Sequence, residues 1–324
     1  MRVTSSMLVN NFMHNLGTNL QKVDKLQTQL AKNSKFAHIS DDPIGVLYGR
    51  SARYNLHLLE HYNSNLDYGK TWLTKAEDGL TTLNETLVDA YNACIDSATD
   101  AKTSEDRKAT AQLIGQLREH LLDALNGAVG DRFVYGAYNT TGNVAAGDDA
   151  VVPPFTVGED GHLKFNGIDL VTASSAAKEA LMEDVISFEM GPGIDMEITL
   201  NGVEVVLFDK DGNNIYNLLD DFYNVMSDDN STAEDVAEFV KPLQDAQEHI
   251  LALTSQTGGR MNRIEMLTAR YEQDYINYTQ MKSDAEDADE AELIMMYEMA
   301  RVVYEASLKT GASIMQMSLL DFLQ

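Results

Sequence analysis

The chain has 324 residues with 24 Lys and Arg against 51 Asp and Glu, a formal charge of −27 that excludes a general nucleic-acid binder. At 44% hydrophobic and 23% charged it has the composition of a folded protein, with length for two or three domains. The lone cysteine, Cys94, excludes an internal disulfide framework and any cysteine-cluster metal site.

The N-terminal stretch from Met1 lacks the unbroken apolar core of a signal peptide, and no window approaches the roughly 20 apolar residues of a membrane span. The expectation is a protein that stays in the cytoplasm or is exported by another route. The first predicted element is a helix with Phe12, Leu16, Leu20, Val23, Leu26 and Leu30 on one side.

From Tyr48 the positions Tyr48, Ala52, Asn55, Leu59, Tyr62, Leu66, Gly69, Leu73, Ala76, Leu80, Leu83, Leu87, Ala90 and Cys94 alternate steps of four and three. That is a sustained heptad seam. A helix from Ile44 to Ala98 would run on the order of 80 Å at 1.5 Å per residue, which predicts a rod-like part. A third helix opens with Thr103 and Asp106 in a capping-box arrangement, carries Leu113, Leu117, Leu121 and Leu125, and ends before Gly127 and Gly130. It is expected to double back on the second.

Residues from about Thr140 to Asp229 read as a β-rich insertion of short apolar runs broken by Gly, Pro, Asn and Asp. Asn166-Gly167 and Asn201-Gly202 predict two hairpins with type I′ turns. Ser174–Asp184 and Ile215–Met226 read as short helices within it.

The seam then returns through Val236, Phe239, Leu243, Ala246, Ile250, Leu253, Thr257, Arg260, Ile264, Leu267, Tyr271, Asp274, Tyr278, Met281 and Ala285. Two matched stripes far apart in sequence predict an antiparallel bundle, with Thr257, Arg260 and Asp274 spoiling the seam locally. A last helix, from Glu290, carries Leu293, Met296, Ala300, Val303, Ile314 and Met317. Neither terminal helix can hide its stripe alone, so the two ends need each other or a neighbouring subunit, and until assembled the stripes are expected to stay uncovered. Tyr54, Leu58, Trp72, Tyr275 and Tyr304 lie off the main seams and are read first as bundle core, then as contacts to neighbours.

The fold class expected is mainly α: a long antiparallel helical bundle or coiled coil built from both chain ends, with a central α+β, β-rich insertion. The expected division is 1–43 with 285–324 as a terminal helical segment, 44–139 with 231–284 as the long bundle, and 140–230 as the central domain.

Chemistry-bearing patterns are few. His57, Glu60 and His61 match the H-x-x-E-H zinc arrangement, but the seam turns Leu59 and Tyr62 inward and leaves those three elsewhere, so a surface role is the reading. Asp209, Asp211, Asn213 and Asp220 suggest a calcium loop whose Gly212 stands at the fourth place and not the sixth, which favours a polar turn. The carboxylates at Asp284, Glu286, Asp287, Asp289, Glu290 and Glu292 suit a helix start. No phosphate loop and no activated nucleophile is recognisable, so no catalytic residue, cofactor or metal is assigned and a non-enzymatic structural or interaction protein is expected.

Several of these residues carry a resemblance. Met1-Arg2-Val3, the Ser40-Asp41-Asp42-Pro43 joint, Gly258-Gly259-Arg260-Met261-Asn262 and the Glu286-Asp287-Ala288-Asp289 joint resemble the flagellin family of bacterial flagellar proteins. The resemblance covers about Met1–Asn139 and Ser231–Gln324. Gly130-Asp131-Arg132-Phe133-Val134-Tyr135-Gly136 and the ending Ser318-Leu319-Leu320-Asp321-Phe322-Leu323 look like a hook–filament junction member of that family more than flagellin itself, which is the alternative. Asn33 stands where the family usually has Gly, and Ile39 where it often has Pro. What the resemblance implies is a tubular lattice assembled through the terminal helices, with Leu320 joining the stripe residues above at the interface. It also implies flagellin and another hook-associated protein as neighbours, an export chaperone, and an extracellular place in the flagellum reached through the type III apparatus.

Overall fold

A computed structural model describes the backbone of residues 5–98, 103–144, 151–209 and 213–322, and the side chains of these apart from 5–6, 143–144 and 313–322. In chain order the helices are α1 (Ser5–Lys32), α2 (Pro43–Ser97), α3 (Ser104–Leu125), α4 (Ser175–Met182), α5 (Gly202–Val206), α6 (Ile215–Ser227), α7 (Ala233–Ala237), α8 (Val240–Glu286) and α9 (Glu290–Phe322). Between α3 and α5 lie β1 (Ala128–Val129), β2 (Arg132–Phe133), β3 (Asn143–Val144), β4 (Val151–Val152), β5 (Phe155–Val157), β6 (Leu163–Phe165), β7 (Ile168–Asp169), β8 (Ser187–Gly191) and β9 (Ile194–Glu197). The fold is mainly α, with the small antiparallel sheets confined to the middle of the sequence.

The chain forms two compact units, residues 61–271 and residues 1–60 with 272–324. In the first, α2 and α8 run antiparallel along the seam that the heptads predict. The Tyr62 and Tyr271 rings lie 6.0 Å apart, Lys70 reaches Glu265 at 3.4 Å, and the Cys94 thiol donates to the Val236 carbonyl at 3.2 Å. Leu66, Leu73, Ala76, Leu80, Leu83, Leu87, Ala90 and Cys94 are buried on one side; Leu243, Ala246, Ile250, Leu253 and Ile264 are buried on the other. Thr257 is buried as well, because its hydroxyl donates to the Leu253 carbonyl of its own helix at 2.9 Å and so leaves no polar group unmet. Trp72 is buried although it lies off the heptad seam.

α3 opens with the predicted capping box, Thr103 and Asp106 satisfying each other's backbone N–H. Its inner face carries Ala111, Ile114, Leu121 and Leu125, while Leu113 is exposed; the leucine stripe is therefore off by one position at its start. The face is set by α6, whose Asp220 pairs with Arg118 and whose Tyr216 and Tyr223 rings lie under the Arg118 guanidinium at 5.8 and 5.3 Å. A cleft lined by Asp78 and Gly79 of α2 and by His120 and Asp123 of α3 places the third helix back beside the second.

The segment after α3 ties the insertion to the bundle. Gly130, at φ 63°, turns the β1–β2 hairpin, and the chain then buries Tyr135, whose hydroxyl donates to the Ala76 carbonyl at 2.6 Å. Burial pushes that phenol well above its ordinary pKa. Gly79 is the seat: a Cβ there would land on the Tyr135 ring, with its Cε2 at 3.0 Å.

Asn166 and Gly167 adopt φ 50° and 85° and turn β6 into β7, the predicted type I′ hairpin. The second predicted hairpin is absent. Asn201 has φ −73°, and its side chain accepts from the Val203 N–H as the N-cap of α5, while its amide also donates to the Asp184 carbonyl at 3.1 Å. β9 instead pairs backward with β8 across Pro192-Gly193, the glycine at φ 69°. An Asn-Gly pair serves either purpose, and here the acceptor role of Asn201 as a cap wins over its tolerance of positive φ.

Candidate assembly surface

The second unit pairs α1 with α9. α1 turns inward Phe12, Leu16, Val23, Leu26 and Leu30, the spacing of a narrow apolar stripe. On α9 the facing positions are Leu293, Tyr297, Ala300, Tyr304, Ser307 and Gly311, again in steps of four and three. Leu26, Leu293 and Ala300 form the buried centre, packed by Val23, Leu30, Ala288 and Tyr297. Asn19 donates to the Ser307 hydroxyl at 3.0 Å, and Gly311 lets the Phe12 ring lie against the α9 backbone, which fixes the pair as antiparallel.

This corrects the expectation that both stripes stay uncovered in a single molecule: at Leu26, Leu293 and Ala300 each helix seals the other. Of the remaining stripe residues, Leu20 is 50% exposed, Met296 38% and Val303 52%. They sit beside exposed Met295, Met299 and Val302 on α9 and Met7, Leu8 and Met13 on α1, so each helix keeps an outward apolar strip that the pairing does not use. The side chains of Ile314, Met317 and Leu320 lie outside the described residues.

Both joints are built by short acidic caps. Asp41 accepts from the Ala37 and His38 N–H groups at 3.0 Å and from Lys25 at 2.7 Å, and Lys25 with the His38 N–H holds its carboxyl at a pKa of about 2. Asp42 accepts from the Ile44 and Gly45 N–H groups and caps α2, with Pro43 at the first helical position where its missing donor costs nothing. Ser40 lies in the turn before it. At the second joint Asp289 accepts from the Ala291 and Glu292 N–H groups and caps α9.

Between the joints, Asn33 takes φ 48°, the left-handed conformation in which Asn is the natural substitute for Gly. The Ser34–Asp287 bridge and the Lys35 N–H donating to the Glu286 carbonyl at 2.8 Å then tie the two chain ends together. Glu286 is buried and receives the Arg53 guanidinium, with Nε at 3.0 Å and Nη2 at 2.5 Å. Gly49 makes the room, since a Cβ there would fall 2.7 Å from Glu286 Cγ. Periodicity does not find this anchor; the Gly45 and Gly49 pair one helical turn apart within a long helix is the signal that could have.

In this unit the long seam opens: Tyr48 and Met281, both predicted inside, are exposed, as are Tyr54 and Tyr275. Leu58 and Tyr304 are half-buried. The H-x-x-E-H residues are exposed on α2, with the His57 side chain 84% accessible and 3.7 Å from Glu60. Among the described residues, no three His, Cys, Asp or Glu converge as a metal site. Asp211 and Gly212 of the proposed calcium loop lie outside the described residues; Asn214 caps α6 and Asp220 is taken by Arg118. No helix is long and apolar enough to cross a membrane among the described residues.

Much of this fold is also found in solved proteins. A protein from Vibrio parahaemolyticus assigned as flagellar hook-associated superposes over 76% of this chain and all of its own, with TM-score 0.62 at 17% identity. The flagellar junction protein FlgL from Legionella pneumophila superposes over 74% of this chain and all of its own, with TM-score 0.54 at 12% identity. The fold is that of FlgL. In sequence the chain is similar from end to end to flagellar hook-associated protein 3 of Escherichia coli, 21% identical over 336 aligned positions that cover 98% of this chain and all of the relative. No protein-family model matches it.

Proposed function

We propose that the chain is a non-enzymatic structural subunit of the bacterial flagellum that joins hook to filament. One observation carries the reading: the end-to-end similarity to hook-associated protein 3 coincides with paired terminal helices that keep an outward apolar strip. In this reading the strip, with Leu20, Met296 and Val303 in it and Ile314, Met317 and Leu320 continuing the stripe toward the end of α9, is covered by neighbouring copies in a tubular lattice, where burying each such side chain contributes roughly 1.5–3 kcal/mol. Phe12, Leu16, Val23, Leu26, Leu30, Leu293 and Ala300 hold the helix pair that presents it.

Segments 1–43 and 285–324 then serve as the inner layer of the tube, 44–139 and 231–284 as the outer, and 140–230 as the solvent-facing part. The neighbours are another hook-associated protein on one side and flagellin on the other, after export through the flagellar type III apparatus with a cytoplasmic chaperone. The test is a gene deletion scored by electron microscopy. Hooks without filaments, with flagellin released into the medium, are expected; intact filaments overturn the reading, and loss of the filament's own mass together with this chain would assign it as flagellin instead.

A further inference from the structure

The charge of the second unit is split between its two arms. Residues 1–60 hold seven Lys and Arg against four Asp and Glu, whereas residues 272–324 hold three against eleven, so a net +3 arm faces a net −8 arm in a chain of −27. Three of the seven cations of 1–60 gather at one place. A cleft of about 460 Å³ beside the first joint has Phe36, Ala37 and Val46 in its wall and Lys32, Arg50 and Arg53 around it. Among the described residues that line it, Glu286 is the one carboxylate, and Arg53 takes it. Lys32 and Arg50 are exposed and have no ion-pair partner among the described residues.

A few residues further on, the chain carries the opposite character. Asp287, Asp289, Glu290 and Glu292 are exposed at the start of α9 and, among the described residues, have no cationic partner. Backbone bonds from Ser34 and Lys35 hold this segment at the rim of the joint and send α9 onward, so the segment cannot fold into its own cleft beyond Glu286.

We propose that the cleft is a docking site for the acidic 287–292 segment of a second copy of this chain. The inference rests on the self-assembly reading above and adds to it a polar contact at the joints, distinct from the apolar strips. Cleft and segment are different surfaces of one protomer, so a head-to-tail contact between them propagates into a ring or helix, whereas a reciprocal exchange closes as a dimer. Against the like-charge repulsion between the bulk of two polyanions, opposite charge at this contact favours approach in one register.

The experiment uses the full-length protein in sedimentation velocity at low and high salt. Lys32→Glu with Arg50→Glu reverses the cleft, and Glu290→Lys with Glu292→Lys reverses the segment; circular dichroism confirms that each variant is folded. Either pair is expected to weaken self-association about tenfold or more, high salt to weaken the wild type in the same direction, and the fourfold charge swap to restore it. Self-association that neither pair alters overturns the inference and leaves the junction role standing. A wild type that stays monomeric at every salt and concentration also overturns it, and the deletion phenotype decides the junction role separately. Inorganic phosphate competing at the cleft with a free peptide of residues 284–292, with self-association untouched, assigns the cleft to small anions and overturns it as well.

Discussion

Gly49 and Glu286 show how one absent side chain decides a contact between residues more than two hundred positions apart. The carboxylate of Glu286 lies where a Gly49 Cβ would be and accepts from Arg53, so the helix backbone itself forms the wall of the ion pair. Gly49→Ala is expected to push Glu286 out and to destabilise the unit by about 1–3 kcal/mol, read as a lower urea midpoint for a probe in α9. Asp41 gives the joint a defined acid response. Its folded pKa of about 2 lies below the roughly 3.9 of an unfolded aspartate, so its ionised form favours the folded joint above about pH 4, and that contribution fades as pH falls through 2. The protection factors of the Ala37 and His38 amides, taken against intrinsic exchange at each pH, are expected to fall in that window and to be low at every pH in Asp41→Asn. Cys94 is the reverse case. Burial pushes its thiol up to about 11, so a disulfide reagent at pH 8 is expected to leave it unmodified in the native protein and to label it fully in urea.

At the scale of elements, the bundle and the insertion are held by point contacts laid over a continuous seam. Tyr135 is the pin: Tyr135→Phe removes its bond to Ala76 and is expected to cost about 1 kcal/mol, while Gly79→Ala forces the ring away and costs more, both measured by thermal unfolding of the variants. In the terminal pair, Leu26→Ala is expected to lose about 2–5 kcal/mol of local stability, seen as faster amide exchange along α9 with α2 between 61 and 97 unaffected. The two Asn-Gly pairs show where local signals stop. Asn166-Gly167 turns a hairpin because the strands on its two sides pair directly with each other, Phe165 against Ile168. Asn201-Gly202 does not, because the strand before it already has a partner in β8 and a donor in α5 needs capping.

At the scale of the molecule, residues 61–271 form a unit of their own, with a core that runs from the α2–α8 seam into Phe155, Phe165 and Phe222. Removing about 30 residues from each terminus is expected to leave far-UV circular dichroism per residue and the main thermal transition nearly unchanged while self-association is lost; unfolding of the trimmed protein would show that the terminal pair supports the bundle. Heptad spacing in the chain alone determined the antiparallel pairing of α2 with α8, the Thr103 and Asp106 pair determined the capping box of α3, and apolar periodicity determined the amphipathic terminal helices. A helix repeats every 3.6 residues whatever it packs against, so its buried face is written locally. Which side of each terminal helix is sealed and which is left outward was decided only in three dimensions. Both sides of α9 are apolar, and the choice between Tyr297 and Met296, or Tyr304 and Val303, falls to where α1 lies. The Glu286 anchor, the Asn201 cap and the basic cleft beside the first joint were likewise set by folding, because each depends on groups that meet only when distant segments close on one another.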